Sequence, residues 1–171
     1  MKKLICIVLV FTMLGSLSKA MAQKPNKFGH VDFAELYGLM PEKDSAQVKY
    51  QKFAKDLEST LKAMQSEFET KYQDFQTNQA TMSQLIQQTK TKELQDLQQR
   101  IQEFQQSAQQ ELSDKEKELS APIIEKARKA VQEVAKENGY TYVFNSAEGL
   151  LLYSEPSDDL MPLAKKKLGL K

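Results

Sequence analysis

From Tyr50 to Phe75 the apolar side chains recur with an eleven-residue period. Tyr50, Phe53, Leu57, Leu61, Met64, Phe68, Tyr72 and Phe75 follow one another at steps of three or four. Tyr50 is matched by Leu61 and Tyr72, and Phe53 by Met64 and Phe75. Such a period means about 3.67 residues per helical turn, so the stripe runs almost straight along an α-helix. Lys, Glu, Asp, Gln, Ser and Thr cover the rest. A stripe this narrow suits a seam between two helices and not a globular core. A helix over Pro41–Asn78 is about 55 Å long and needs a partner of similar reach.

The partner follows at once. The pattern falters at Asn78–Met82, which places a tip turn near 78–82, and Thr81 with Gln84 has capping-box spacing. A second helix then runs to Asn138, with Gly139 as its stop. Its seam is Leu85, Leu94, Leu97, Ile101, Phe104, Ala108, Leu112 and Leu119. At about 85 Å it outruns the first helix by roughly 30 Å. Pro122 stands where the overhang begins and is expected to kink the helix. Beyond it Ile123, Ile124, Ala127, Ala130, Val131 and Val134 form a broader face of smaller residues, as a compact body requires.

The remaining segments supply that body. Phe28–Phe33 reads as a short strand, Asp32 with Glu35 as a cap for a short helix, and Pro41 as the opening of the next helix. "YTYVFNSAEGLLLY" (Tyr140–Tyr153) alternates around a glycine-containing turn and reads as a β-hairpin. Ser157-Asp158-Asp159 caps a last short helix, and Lys165-Lys166-Lys167 suits its C-terminal end. Three strands leave open edges. The aromatic residues exceed what one small body needs, so the strand region is expected to join copies of the chain. The expected assembly residues are Phe28, Val31, Tyr140, Tyr142, Phe144, Leu150 and Leu152. The expected arm seam is Phe53, Leu57, Leu61, Met64, Phe68, Phe75, Leu94, Leu97, Ile101 and Phe104. The fold class is α+β, predominantly α: a long antiparallel helical hairpin projects from a small β-containing body that oligomerises.

Residues 1–22 read as a cleaved secretory signal. Met1-Lys2-Lys3 is a positive start, Leu4–Leu17 an apolar run, and Ala20-Met21-Ala22 an A-x-A-like site. The apolar run is short for a membrane span. Cleavage after Ala22 removes Cys6, the only cysteine, and with it any disulfide, cysteine metal site or thiol nucleophile. It also removes Lys2, Lys3 and Lys19 but no acid, taking the formal charge from +1 to about −2. Export and near-neutrality both argue against nucleic acid as a partner. The expected division is a signal at 1–22, body at 23–45, arm at 46–119 and body again at 120–171.

Chemistry-bearing residues are not gathered. His30 is the sole histidine, and a metal site needs three or four ligands. No G-x-S-x-G elbow and no phosphate-cradling glycine loop is present. Carboxylates alternate with lysines, as in Lys115-Glu116-Lys117-Glu118, a pattern of solvated helix faces. The expectation is no enzyme, no cofactor and no metal. Gln65–Gln110 is glutamine-rich. It reads as a surface of good helix formers needing no function, or as a soft hydrogen-bonding surface for unfolded chains.

The order of several short pieces resembles the Skp (OmpH-like) periplasmic chaperones. They are "GHVDFAEL", "MPE", "KELQDLQQRIQEFQQSAQQEL", "LSAPIIEKARKAVQEVAKENGYTYVFN", "LLYS" and "DDLMPLAKKKLGL", spread over nearly all of the chain after the leader. The Leu-x-x-Pro-Ile step, followed by a helix ending in Asn-Gly-Tyr and a strand, is the most specific. The chain looks most like the Bacteroidetes-type versions. The resemblance implies a prefoldin/Skp-like trimer in the periplasm, whose three arms enclose a cavity for unfolded outer-membrane proteins, without ATP. Many members have Asp-Leu/Val-Thr-Pro where this chain has Asp159-Leu160-Met161-Pro162. Some are strongly basic and bind lipopolysaccharide or anionic membranes. This chain's charge gives no case for carrying that site over. The alternative is a periplasmic coiled-coil adaptor that tethers folded partners. No residue is singled out as a client contact.

Overall fold

The computed structural model describes residues 26–147 and 151–170. The expected signal segment and Leu150 lie outside the described residues. In chain order the elements are β1 (Phe28–Val31), α1 (Phe33–Gly38), α2 (Pro41–Asn78), a 3-10 turn (Gln79–Thr81) and α3 (Gln84–Glu137). β2 (Tyr142–Asn145), a second 3-10 turn (Pro156–Asp158) and α4 (Met161–Leu168) follow. The fold is predominantly helical, and α2 packs along α3 as a long paired arm.

Local chemistry sets the helix ends. Asp32 accepts a hydrogen bond from the Glu35 amide at 2.9 Å and caps α1. Pro41 opens α2, where its missing N–H costs nothing. At the tip the expected cap is corrected. Ser83, not Thr81, caps α3 by accepting from the Ile86 amide. Thr81 sits inside the 3-10 turn and donates to the Asn78 carbonyl. The Gln87 side-chain Nε2 donates to the Gln79 and Met82 carbonyls and closes the turn. α3 stays helical through Pro122.

The expected β-hairpin is not found among the described residues. Tyr142–Asn145 is a strand, but it pairs with β1 in parallel, Phe28 opposite Tyr142 and Val31 opposite Asn145. Leu151–Ser154 forms no strand. Among the described residues the sheet therefore has two strands, and the far edge of β1 meets a single bridge from His30 to Asp159. A hairpin needs only a tight turn, whereas parallel strands need a long crossover. The crossover here is the arm with α1.

α3 overhangs α2, and its body end packs under the sheet. Val31 of β1, Leu36 of α1 and Met40 meet Ile123, Ala127, Val131 and Val134 of α3. Leu160, Met161 and Ala164 close the same core from the C-terminal side. Gly29 permits this closeness: a Cβ there would lie 2.3 Å from Leu160 Cδ1 and 2.8 Å from the Tyr140 ring. The C-terminal cap also shifts. Ser157 and Asp158 lie in the 3-10 turn, α4 starts later at Met161, and Asp159 Oδ1 accepts from the Met161 amide at 2.8 Å.

Candidate functional site

The sheet has two unlike faces. Gly29, Val31 and Val143 turn toward the helices, and Val31 is 3 % exposed. Phe28, Tyr142 and Phe144 turn outward and form an aromatic ladder. Phe28 stacks on Tyr142 with centroids 5.8 Å apart and on Phe144 at 6.2 Å. They remain 48 %, 57 % and 48 % exposed. Parallel sheets ordinarily have both faces covered, and a polar outer face would have been soluble without cover. Apart from His30, which is in register with Phe144 and meets the Glu155 carbonyl, this face is neither covered nor polar.

Tyr140 lies apart from the ladder, half-buried against the core, with Lys27 Nζ 3.9 Å from its ring centre. Leu152 and Tyr153 stand in solvent. The Tyr153 hydroxyl donates to Glu155, which raises its pKa. Of the expected assembly residues, then, Val31 lies in the core and Tyr140 at its margin, while Phe28, Tyr142, Phe144 and Leu152 are surface. An apolar groove of about 490 Å³ runs along β2 beside α3. Its α3 wall includes Arg128, Gln132 and Lys136, which periodicity did not single out because they face outward on their own helix.

Along the arm, Leu94 and Leu97 are buried. Phe53, Leu57, Leu61, Met64, Phe68, Phe75, Ile101 and Phe104 are half-buried. Tyr72 is exposed and stacks on Phe68 at 6.0 Å. Leu85, read as the first residue of the α3 seam, is instead exposed beside the tip with Ile86. Lys90 reaches across the arm to Asp74 at 3.6 Å.

Two polar links tie the body together. Lys126 of α3 bonds to Glu42 at the root of α2 and holds that carboxyl below its ordinary pKa. Lys167 of α4 is raised by its bond to Glu137 at 2.6 Å and then by Glu133 at 3.1 Å. His30 points its Nε2 at the Glu155 carbonyl, 3.4 Å away, and lies with no cluster of metal-binding side chains among the described residues. No helix among them is long and apolar enough to cross a membrane.

The sequence profile of the family described as Outer membrane protein (OmpH-like) matches residues 27–168. A solved structure from Caulobacter crescentus CB15, described provisionally as an outer membrane chaperone (OmpH-like), superposes with a TM-score of 0.71. It is 12 % identical, and the match covers 85 % of each chain, so the likeness is one of fold. No curated protein matches the chain.

Proposed function

The chain belongs to the OmpH-like outer membrane protein family, and on that premise we propose that it is an ATP-independent holdase of the periplasm. It would bind unfolded outer-membrane β-barrel proteins and keep them from aggregating. Export would follow removal of the leader after Ala22. Three copies would join through the outer face of the sheet and the groove along β2, the number three coming from the family resemblance. The observation that carries this reading is the uncovered ladder of Phe28, Tyr142 and Phe144 on a body whose long arm points elsewhere. A second copy covers such a face and pairs the free edge of β2. The arms then stand together around a shared space.

Within that space a client meets many weak contacts at high effective concentration. Arms with thin seams adapt to different chains, as promiscuous binders do. Release needs no nucleotide because each contact is weak.

A urea-unfolded β-barrel protein diluted into buffer with the purified chain tests this by light scattering. Suppression that saturates near one client per three chains is the expected result. A folded, oligomeric protein that leaves scattering unchanged in excess would remove the holdase reading in favour of the adaptor.

A further inference from the structure

On α3 the charges and the glutamines are sorted by face. Between Gln84 and Ser113 the helix carries eleven glutamines and seven charged residues. At about 100° per residue, Gln95, Gln98, Gln102, Gln105, Gln106 and Gln109 fall within one sector beside the apolar seam. All six are exposed. The other glutamines of the span, Thr91 and Ser113 extend that sector to about 140° in width and 44 Å in length. Lys92 stands at its border. Glu103 and Asp96 flank that same border, Glu93, Arg100 and Glu111 lie on the far side of the helix, and Lys90 turns to Asp74 of α2. α2 lacks this sorting: its charges surround the whole surface outside its seam.

A helix surface that is merely solvated has no reason to exclude charge from one face. α2 shows what that surface looks like in this same chain. The sorted face offers uncharged groups, mostly primary amides, each a donor and an acceptor. Gln99 and Gln110 spend a donor on Glu103 at 2.7 Å and Asp114 at 3.0 Å. Among the described residues the six named above have no side-chain partner in the protein.

We infer that this amide face of α3 is where the arm holds a client, and that it binds the uncharged main chain of an unfolded polypeptide. The inference rests on the holdase reading. The charge pattern selects the occupant. A face without charge gains nothing from an ionic ligand, whereas a peptide group is itself one donor and one acceptor. Its length matches an extended segment of about thirteen residues. Each bond only replaces a bond to water, so its net contribution is small. Holding is therefore collective, indifferent to side-chain sequence and insensitive to salt.

The test replaces Gln98, Gln102, Gln105 and Gln109 together by alanine, which keeps helix propensity. A fluorescent, urea-unfolded β-barrel protein serves as the probe. The wild type should bind it with a Kd that changes less than about twofold between low and high salt. The alanine variant, with unchanged helicity and oligomeric state, should bind about tenfold more weakly. Gln→Glu at the same four positions gives a second reading. It should make binding of an acidic client fall and become salt-dependent. Equal Kd values for the wild type and both variants would overturn the amide face while leaving the holdase intact. Loss of affinity for soluble peptidoglycan fragments, with client affinity unchanged, would also overturn it by assigning the face to glycans. No binding by the wild type itself removes the holdase reading and this inference with it.

Discussion

The arm and the body of this chain are stabilised in opposite ways. α2 is 38 residues long and buries none of them fully. α4 has eight residues and buries Met161 and Ala164. On α3 the difference lies within one helix: its arm portion buries Leu94 and Leu97, while its body end buries Ile123, Ala127, Ala130, Val131 and Val134. The arm thus holds itself by a thin seam, with small increments from pairs such as Phe68 with Tyr72. The body holds itself by one shared core. A seam opens piece by piece, whereas a core is lost all at once.

That contrast can be attacked from the body side first. Leu160→Ala removes a side chain with no exposure from the centre of the core. It should cost about 3 kcal/mol and lower the urea midpoint for both strands and helices together. Loss of only the arm signal would break the comparison. Gly29→Ala comes next, because its Cβ must displace both Leu160 and Tyr140. About 1–3 kcal/mol of overpacking is expected, read in the same titration.

On the arm the effect should be smaller in reach. Leu97→Ala, at a site 1 % exposed, should speed hydrogen exchange of amides around Leu94–Phe104, with body amides little changed. Its local cost is about 2 kcal/mol. Uniform acceleration across the molecule would show that arm and body unfold as one unit.

The smallest effect is that of pH. The Glu42 carboxyl is held below its ordinary value of 4.5 by Lys126, so its contribution is present above that value and lost as pH falls through the lowered one. Lys167 is held above its ordinary 10.5, so its contribution is present below that value and lost as pH rises through the raised one. Both pairs are at least partly open to solvent and screened. Thermal melting should be nearly flat between these limits, and Glu42→Gln should differ from wild type at neutral pH but not in strong acid.

The two regions were also unequally legible. The seam of α2 and α3 is written in local spacing, because residues three and four apart share a helix face wherever the chain goes. The partner of β2 is not written locally. Lys27 and Thr141 meet across 114 positions, and no alternation within Tyr140–Tyr153 distinguishes a neighbour in sequence from one beyond the arm. The alternation of Tyr142, Val143 and Phe144 was nevertheless informative, since it marked a strand with an aromatic outer face. At the tip, the capping-box spacing of Thr81 with Gln84 misplaced the cap, because the backbone is extended at Met82 and Ser83 and so puts Ser83 at the start of α3. The glutamine face was present in the sequence, but its meaning came from its contrast with α2 once both helices were seen to be continuous.

The parallel pairing has a temporal consequence. β1 emerges first and β2 emerges only after the whole arm, so the sheet is among the last contacts available to a chain arriving from its N-terminal end. The helices can zip by neighbouring contacts in the meantime. Through that interval β1 waits with both edges bare. The chain that would guard others from aggregation passes through its own exposed stage, and its brevity depends on how quickly the arm folds back to bring Tyr142–Asn145 home.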